Sequence, residues 1–227
     1  MKKDLIKKYI SKDIASYIHI DELLDRDHTI EYASNNGFII HDDLVNFTYI
    51  SFSDFEEMKD VLSTRKYKSY IAYEKEIVDF YGDSGKTTNL IQYYYPSNKK
   101  FTGLEEYDLR ILDESYIDIL DECYKAIGPN ESNLERLEKK EVIGIFENNE
   151  LAGIVGRHPE GCVGMLLVFE KYRGKGYATV LEKAKINDLI DRKQRVFNEV
   201  VDGNEISIKI QTKLGYIRGT KLLYWKL

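Results

Sequence analysis

GCVGMLLVFEKYRGKGYATVLEKAKINDLI, residues 161–190, holds a strand, a glycine turn and a helix in that order. Residues 163–169 form an unbroken apolar run rich in Leu and Val, short enough for a buried strand. From about Gly174 the period becomes helical, with Tyr177, Leu181 and Ala184 at i, i+4 and i+7, until Asp188 breaks the stripe one turn later. Between the two lies Tyr172-Arg173-Gly174-Lys175-Gly176-Tyr177-Ala178. A glycine turn at the head of a helix leaves several backbone N–H groups unpaired and pointing one way. The positive end of the helix dipole and the cations Arg173 and Lys175 favour a phosphorylated ligand there. Glycine at 174 and 176 lets a pyrophosphate reach the backbone with no Cβ in the way.

The turn is not a dinucleotide fingerprint, because G-x-G-x-x-G needs a third glycine and position 179 is Thr. Arg173, Gly176 and Ala178 instead spell R-x-x-G-x-A directly after a strand. Downstream, residues 204–216 read NEISIKIQTKLGY. The first pattern resembles the acyl-CoA-binding signature of the GNAT superfamily of N-acyltransferases. The second is similar to that family's N-x-x-S motif and the L-G-F/Y that opens a late strand. Two motifs in the right order are far more specific than either alone.

The chain has 227 residues, long enough for one large domain or two small ones, and its 43% hydrophobic content is ample for a core. A net charge of −6, from 33 Lys+Arg against 39 Asp+Glu, argues against nucleic acid as the main partner and is compatible with a cationic amine substrate. No apolar run approaches the ~20 residues of a membrane span, so no membrane partner is expected. The N-terminus, MKKDLIKKYISKD, has lysines but no apolar core or cleavage site of a signal peptide. Cys123 and Cys162 are too few for a disulfide framework, and a cytoplasmic location is expected. His158 and Cys162 form an H-x-x-x-C pair without further ligands, so no metal is expected.

Taken in order, residues 2–24 predict two short helices or one broken one, with Ile10, Ile14 and Tyr17 on one face. Strands are expected at 37–40 and 47–52. Ser53 and Glu56 read as a capping box for a helix burying Phe55, Met58 and Leu62. Further strands are expected at 69–73 and 89–95, with a short helix at 74–81. Gly85-Lys86-Thr87 ends like a Walker A loop, but the required glycine at position 80 is Phe. The breaker-rich 96–104 reads as a linker.

Beyond it come a strand at 107–112 and a helix at 114–127, with Tyr116, Leu120, Cys123 and Ile127 in its stripe and Gly128-Pro129 at its end. A second capping box, Ser132 with Glu135, opens a helix to about Lys140. Residues 142–146 and 151–157 read as a hairpin, followed by the strand, turn and helix already described. A strand at 195–201, a helix at 205–213 and strand material from Tyr216 complete the order. The fold class is α/β (α+β): a mixed GNAT-type sheet flanked by helices. Residues 105–227 are expected to form the acetyltransferase domain. Residues 1–100 are expected to form a smaller, degenerate GNAT-like companion, as in the glycine N-acyltransferase-like branch.

The resemblance implies an N-acetyltransferase moving an acetyl or other acyl group from acetyl-CoA to a primary amine of a small molecule or peptide. The amine would attack directly in a ternary complex. Backbone N–H groups of Leu166, Leu167, Val168 and Phe169 are the candidates for holding the acyl carbonyl and pantetheine. The pyrophosphate falls to Arg173, Gly174, Lys175, Gly176, Tyr177 and Ala178, and further cofactor contacts to Asn204 and Ser207, which also suit a helix cap. An alkylammonium with a pKa near ~10 must lose a proton, and Glu170 and His158 are candidate bases. Many family members carry a general-acid Tyr four residues after the motif serine. Here that position is Gln211, which donates a hydrogen bond but cannot transfer a proton. That substitution motivates the alternative of a non-catalytic acyl-CoA-binding or regulatory protein.

Overall fold

A computed structural model describes residues 1–82, 85–124 and 132–226. The helices are α1 Lys2–Ile10, α2 Ile18–Leu23, α3 Phe55–Leu62, α4 Lys75–Tyr81, α5 Ile117–Cys123, α6 Asn133–Glu138, α7 Tyr177–Asp191 and α8 Glu205–Leu214. The strands are β1 His28–Ala33, β2 Gly37–Asp42, β3 Phe47–Phe52, β4 Tyr70–Ala72, β5 Thr87–Tyr94, β6 Asp108–Ile111, β7 Ile143–Glu147, β8 Glu150–Arg157, β9 Val163–Val168, β10 Phe197–Val201 and β11 Ile217–Lys226. The chain divides into two compact units. One is Met1–Tyr94 with Glu199–Ile208 and Ile217–Leu227; the other is Tyr95–Asn198 with Lys209–Tyr216. The units are spatial rather than sequential, since the last strand of the chain lies with the first ninety-four residues.

In the first unit β1, β2 and β3 form an antiparallel meander, and β4 joins β3 in parallel. β11 runs antiparallel to both β4 and β5, with Tyr224 opposite Ala72 on one side and Asn89 on the other. Period-two alternation gives this sheet two apolar faces. Phe38, Ile40, Tyr49, Ile71 and Leu223 pack with Ile6, Ile10, Ile20 and Leu23 of α1 and α2. Ile39, Ile50, Phe52 and Ala72 pack with Met58, Leu62 and Ile77 of α3 and α4.

In the second unit β6, β7, β8 and β9 are successively antiparallel. The β7–β8 turn is made by Asn148 and Asn149, both at positive φ, as a tight hairpin turn requires. Leu120 of α5 and Leu137 of α6 share a cluster with Val142, Phe146, Ile154 and Met165. α7 packs across β7, β8 and β9. A Cβ at Gly153 would crowd the Leu181 side chain and the Leu167 carbonyl, so glycine permits that approach.

Several expectations shift in detail. The α3 cap is Asp54, whose carboxylate accepts the Glu57 N–H at 2.9 Å, not Ser53. Phe55 is 47% exposed and lies off the buried stripe that holds Met58 and Leu62. Ile14 sits beyond a 3₁₀ turn at Ser11–Asp13 and is exposed, while Ile10 and Tyr17 are buried. The Ser132 cap holds, accepting from the Glu135 N–H at 3.2 Å. Ile127 and the Gly128-Pro129 helix end lie outside the described residues.

Candidate active site

β9 leaves its neighbours in two ways. Against β8 the register runs Arg157↔Val163 and Gly156↔Gly164, then slips before Ile154↔Leu167, so that Met165 and Leu166 oppose Val155 alone. This β-bulge centres on Met165 at φ 55, a left-handed conformation uncommon for a non-glycine residue within a strand. Met165 is buried in the α5–α6 cluster, whose packing holds it there. Against β10 the parallel pairing consists of Asn198↔Val163, at the start of both strands. Past that pair, no further β9–β10 pairing occurs among the described residues.

Of the four backbone candidates, Phe169 is already committed: its N–H donates to the Ala152 carbonyl at 3.0 Å. Leu167 lies opposite Ile154 in the β8 ladder. Strand alternation turns the Val168 groups the other way. The Val168 carbonyl accepts from Arg173 Nε at 3.2 Å. Arg173 is thereby fixed between the open edge of β9 and the turn that follows.

That turn rises through a 3₁₀ segment, Glu170–Tyr172, into Gly174 and Gly176, both at φ 81. Gly176 is the N-cap of α7, a fifteen-residue helix with no acidic residue in its first turn. The Thr179 and Val180 N–H groups close onto the Gly176 carbonyl, and the Arg173 N–H onto the Glu170 carbonyl. The N–H groups of residues 174–178 have no acceptor among the described residues. A Cβ at Gly174 or Gly176 would meet nothing within 4 Å. The space above the turn is open, and the helix dipole is directed at it.

Lys175 does not present a bare charge. Its ammonium pairs with Glu147 at 2.6 Å, and Tyr177 Oη donates to the same carboxylate. These donors hold Glu147 below the usual carboxylate range, hydrogen bonding from Lys175 being the larger cause. The same contact pushes the Tyr177 phenol up to about 12. The turn is thus braced to the end of β7. Next to it, Tyr172 Oη donates to Glu150 at 2.7 Å.

The two candidate bases are not brought together. Glu170 is exposed at the C-terminal end of β9. His158 lies at the opposite end, its Nδ1 3.3 Å from Arg136 and its Nε2 3.5 Å from Tyr124 Oη. Its ring fills the space over Gly164, where any Cβ would collide with it. His158 and Cys162 are joined by the backbone, His158 N–H to the Cys162 carbonyl at 2.9 Å. Among the described residues no three His, Cys, Asp or Glu side chains cluster as metal ligands.

Asn204 and Ser207 are brought to each other: Asn204 Oδ1 accepts the Ser207 N–H at 3.2 Å and caps α8. Gln211 is buried, beside the carboxyl of the equally buried Glu182 of α7. Asn198 Nδ2 and Tyr216 Oη donate to the same carboxyl at 2.8 and 2.9 Å. Glu182 had no signal in the sequence, since it stands beside the apolar stripe rather than within it. In the first unit the buried His19, with Nδ1 2.8 Å from Glu199, and the Arg26–Asp42 pair at 2.6 Å were equally silent.

A strand, a glycine turn and a helix N-terminus follow one another as the resemblance to the GNAT superfamily implies. The comparisons agree. Residues 142–225 match the FR47-like protein family, which supports the GNAT resemblance drawn from the motifs. A structural-genomics target protein from Drosophila has TM-score 0.69 and 14% identity, covering 99% of this chain and 94% of that one. A GNAT-family acetyltransferase from Colwellia psychrerythraea has TM-score 0.56 and 15% identity, covering 98% and 94%. A GCN5-related N-acetyltransferase from Kribbella flavida has TM-score 0.57 and 14% identity, covering 94% and 96%. No curated protein matches the chain. The fold is therefore that of GNAT acetyltransferases, a mixed sheet flanked by helices.

Proposed function

We propose that the protein is an N-acyltransferase that moves an acyl group, acetyl in the first instance, from its CoA thioester to a primary amine of a small molecule or peptide. The observation that carries this reading is the continuity of β9 and the turn. The open edge of β9 past Asn198↔Val163 leads within a few residues to the unpaired N–H groups of 174–178. An extended pantetheine arm would pair with the strand edge, and the pyrophosphate would sit on the turn. Arg173, tied to the Val168 carbonyl, would stand between them. The CoA thiol, with a pKa of ~8.5, can leave as thiolate without an acid, so the burial of Gln211 does not preclude turnover. Residues 105–227 contain every cofactor contact in this proposal. No described helix is long and apolar enough to cross a membrane, and a cytoplasmic location with neither nucleic-acid nor membrane partner accompanies the reading.

The test is time-dependent release of CoA thiol from acetyl-CoA in the presence of a panel of primary amines. The proposal expects amine-dependent turnover. Saturable acetyl-CoA binding without turnover for any amine would support a non-catalytic acyl-CoA binder instead.

A further inference from the structure

Glu182, on α7 of the second unit, is fully buried. Two side chains donate to its carboxyl, Asn198 from β10 and Tyr216 from the segment after α8, and Gln211 of α8 lies beside it. Among the described residues no charged group acts on it, and of ionisable neighbours the Tyr216 phenol faces it, with Tyr95 behind, ring centroids 5.5 Å apart. Among the described residues three oxygen atoms in this cluster have no hydrogen-bond partner: Glu182 Oε2, Asn198 Oδ1 and Gln211 Oε1. All three are acceptors if the carboxyl is ionised. An uncompensated buried carboxylate surrounded by further orphan acceptors is the arrangement that proteins avoid. One proton on Oε2 turns that atom into a donor and leaves an amide oxygen to receive it.

We propose that Glu182 is held as a neutral carboxylic acid and is a positioning residue for the cofactor turn, its proton locking α7 against Asn198 and Gln211. Glu182 lies five residues into α7 from Tyr177, about 7 Å along a rigid helix from the turn. Ionisation would repel the amide oxygens and shift the helix whose first turn carries the unpaired N–H groups. Burial raises the carboxyl above its ordinary range, in agreement with the geometry. The sign follows: stability from this group is complete below the ordinary carboxylate pKa and is lost as pH rises through the raised folded value. The positioning role rests on the cofactor reading above, whereas the protonation state does not.

The experiment combines infrared spectroscopy with calorimetry on the full chain. Wild type minus Glu182→Gln should show a protonated-carboxyl carbonyl band at neutral pH that disappears only as pH is raised. Over the same pH interval wild-type affinity for acetyl-CoA should fall by about ten-fold, the equivalent of ~1.4 kcal/mol. Glu182→Gln, which keeps the shape and supplies a donor, should bind with neutral-pH wild-type affinity throughout. Absence of the band at neutral pH overturns the neutral carboxyl. Its presence with the same pH dependence of affinity in both proteins overturns the positioning role, as does failure of the wild type to bind acetyl-CoA. If Glu182→Gln does not fold, the infrared titration of wild type against Tyr216→Phe, whose band should shift in frequency, decides the protonation state.

Discussion

Replacing Gly176 by Val separates what the turn does for folding from what it does for the cofactor. Gly176 sits at φ 81, ψ 4, and an added Cβ meets no atom within 4 Å. The folding cost is therefore that of a side chain in the left-handed region alone, about 1–2 kcal/mol. For a chain of this size that corresponds to a loss of roughly 2–8 °C in Tm. Gly103, at φ 74 and with equally open surroundings, provides the control: Gly103→Val should lose a similar amount. Binding should distinguish the two variants. A valine at 176 stands where the pyrophosphate meets the N–H groups, and losing two charge-assisted hydrogen bonds costs about 3–6 kcal/mol. Acetyl-CoA affinity measured by calorimetry should therefore fall by at least about 100-fold, the equivalent of ~2.8 kcal/mol, while Gly103→Val binds as wild type. A folded Gly176→Val protein with wild-type affinity would refute the assignment of the turn.

Two further outcomes follow from the same geometry. Arg173→Ala should weaken acetyl-CoA binding more than Lys175→Ala, because Lys175 is already neutralised by Glu147 at 2.6 Å; calorimetry of both variants at low salt checks the order, and equal losses would contradict it. Gln211→Leu replaces a buried amide beside Glu182 and should cost about 1–3 kcal/mol in denaturant unfolding, with acetyl-CoA affinity changing less than in Gly176→Val.

The part of the site made by local chemistry was legible in the sequence. A short apolar run, two glycines that must take positive φ and a helical stripe are each set by neighbours in the chain, so residues 163–190 fold as read. The cap of α3 was misplaced by one residue because Ser53 and Asp54 are both competent caps and packing chose between them. β1 is hard to read because HTIEYA alternates at Ile30 and Tyr32 alone and is a largely half-buried edge strand. The bulge at Met165 could not be read, since its positive φ is imposed by the α5–α6 cluster rather than by residue type. Gln211 was expected near the reacting sulfur from motif spacing, yet its direction is set by a carboxyl nearly thirty residues earlier in the chain. Spacing places a residue on a helix face; what that face packs against is tertiary information.

The most direct test of the account is a structure of the protein with acetyl-CoA bound. The account predicts pyrophosphate oxygens within hydrogen-bond distance of the N–H groups of residues 174–178 and the pantetheine arm lying along β9 beyond Val163. Acetyl-CoA bound elsewhere, with those N–H groups facing only solvent, would contradict it.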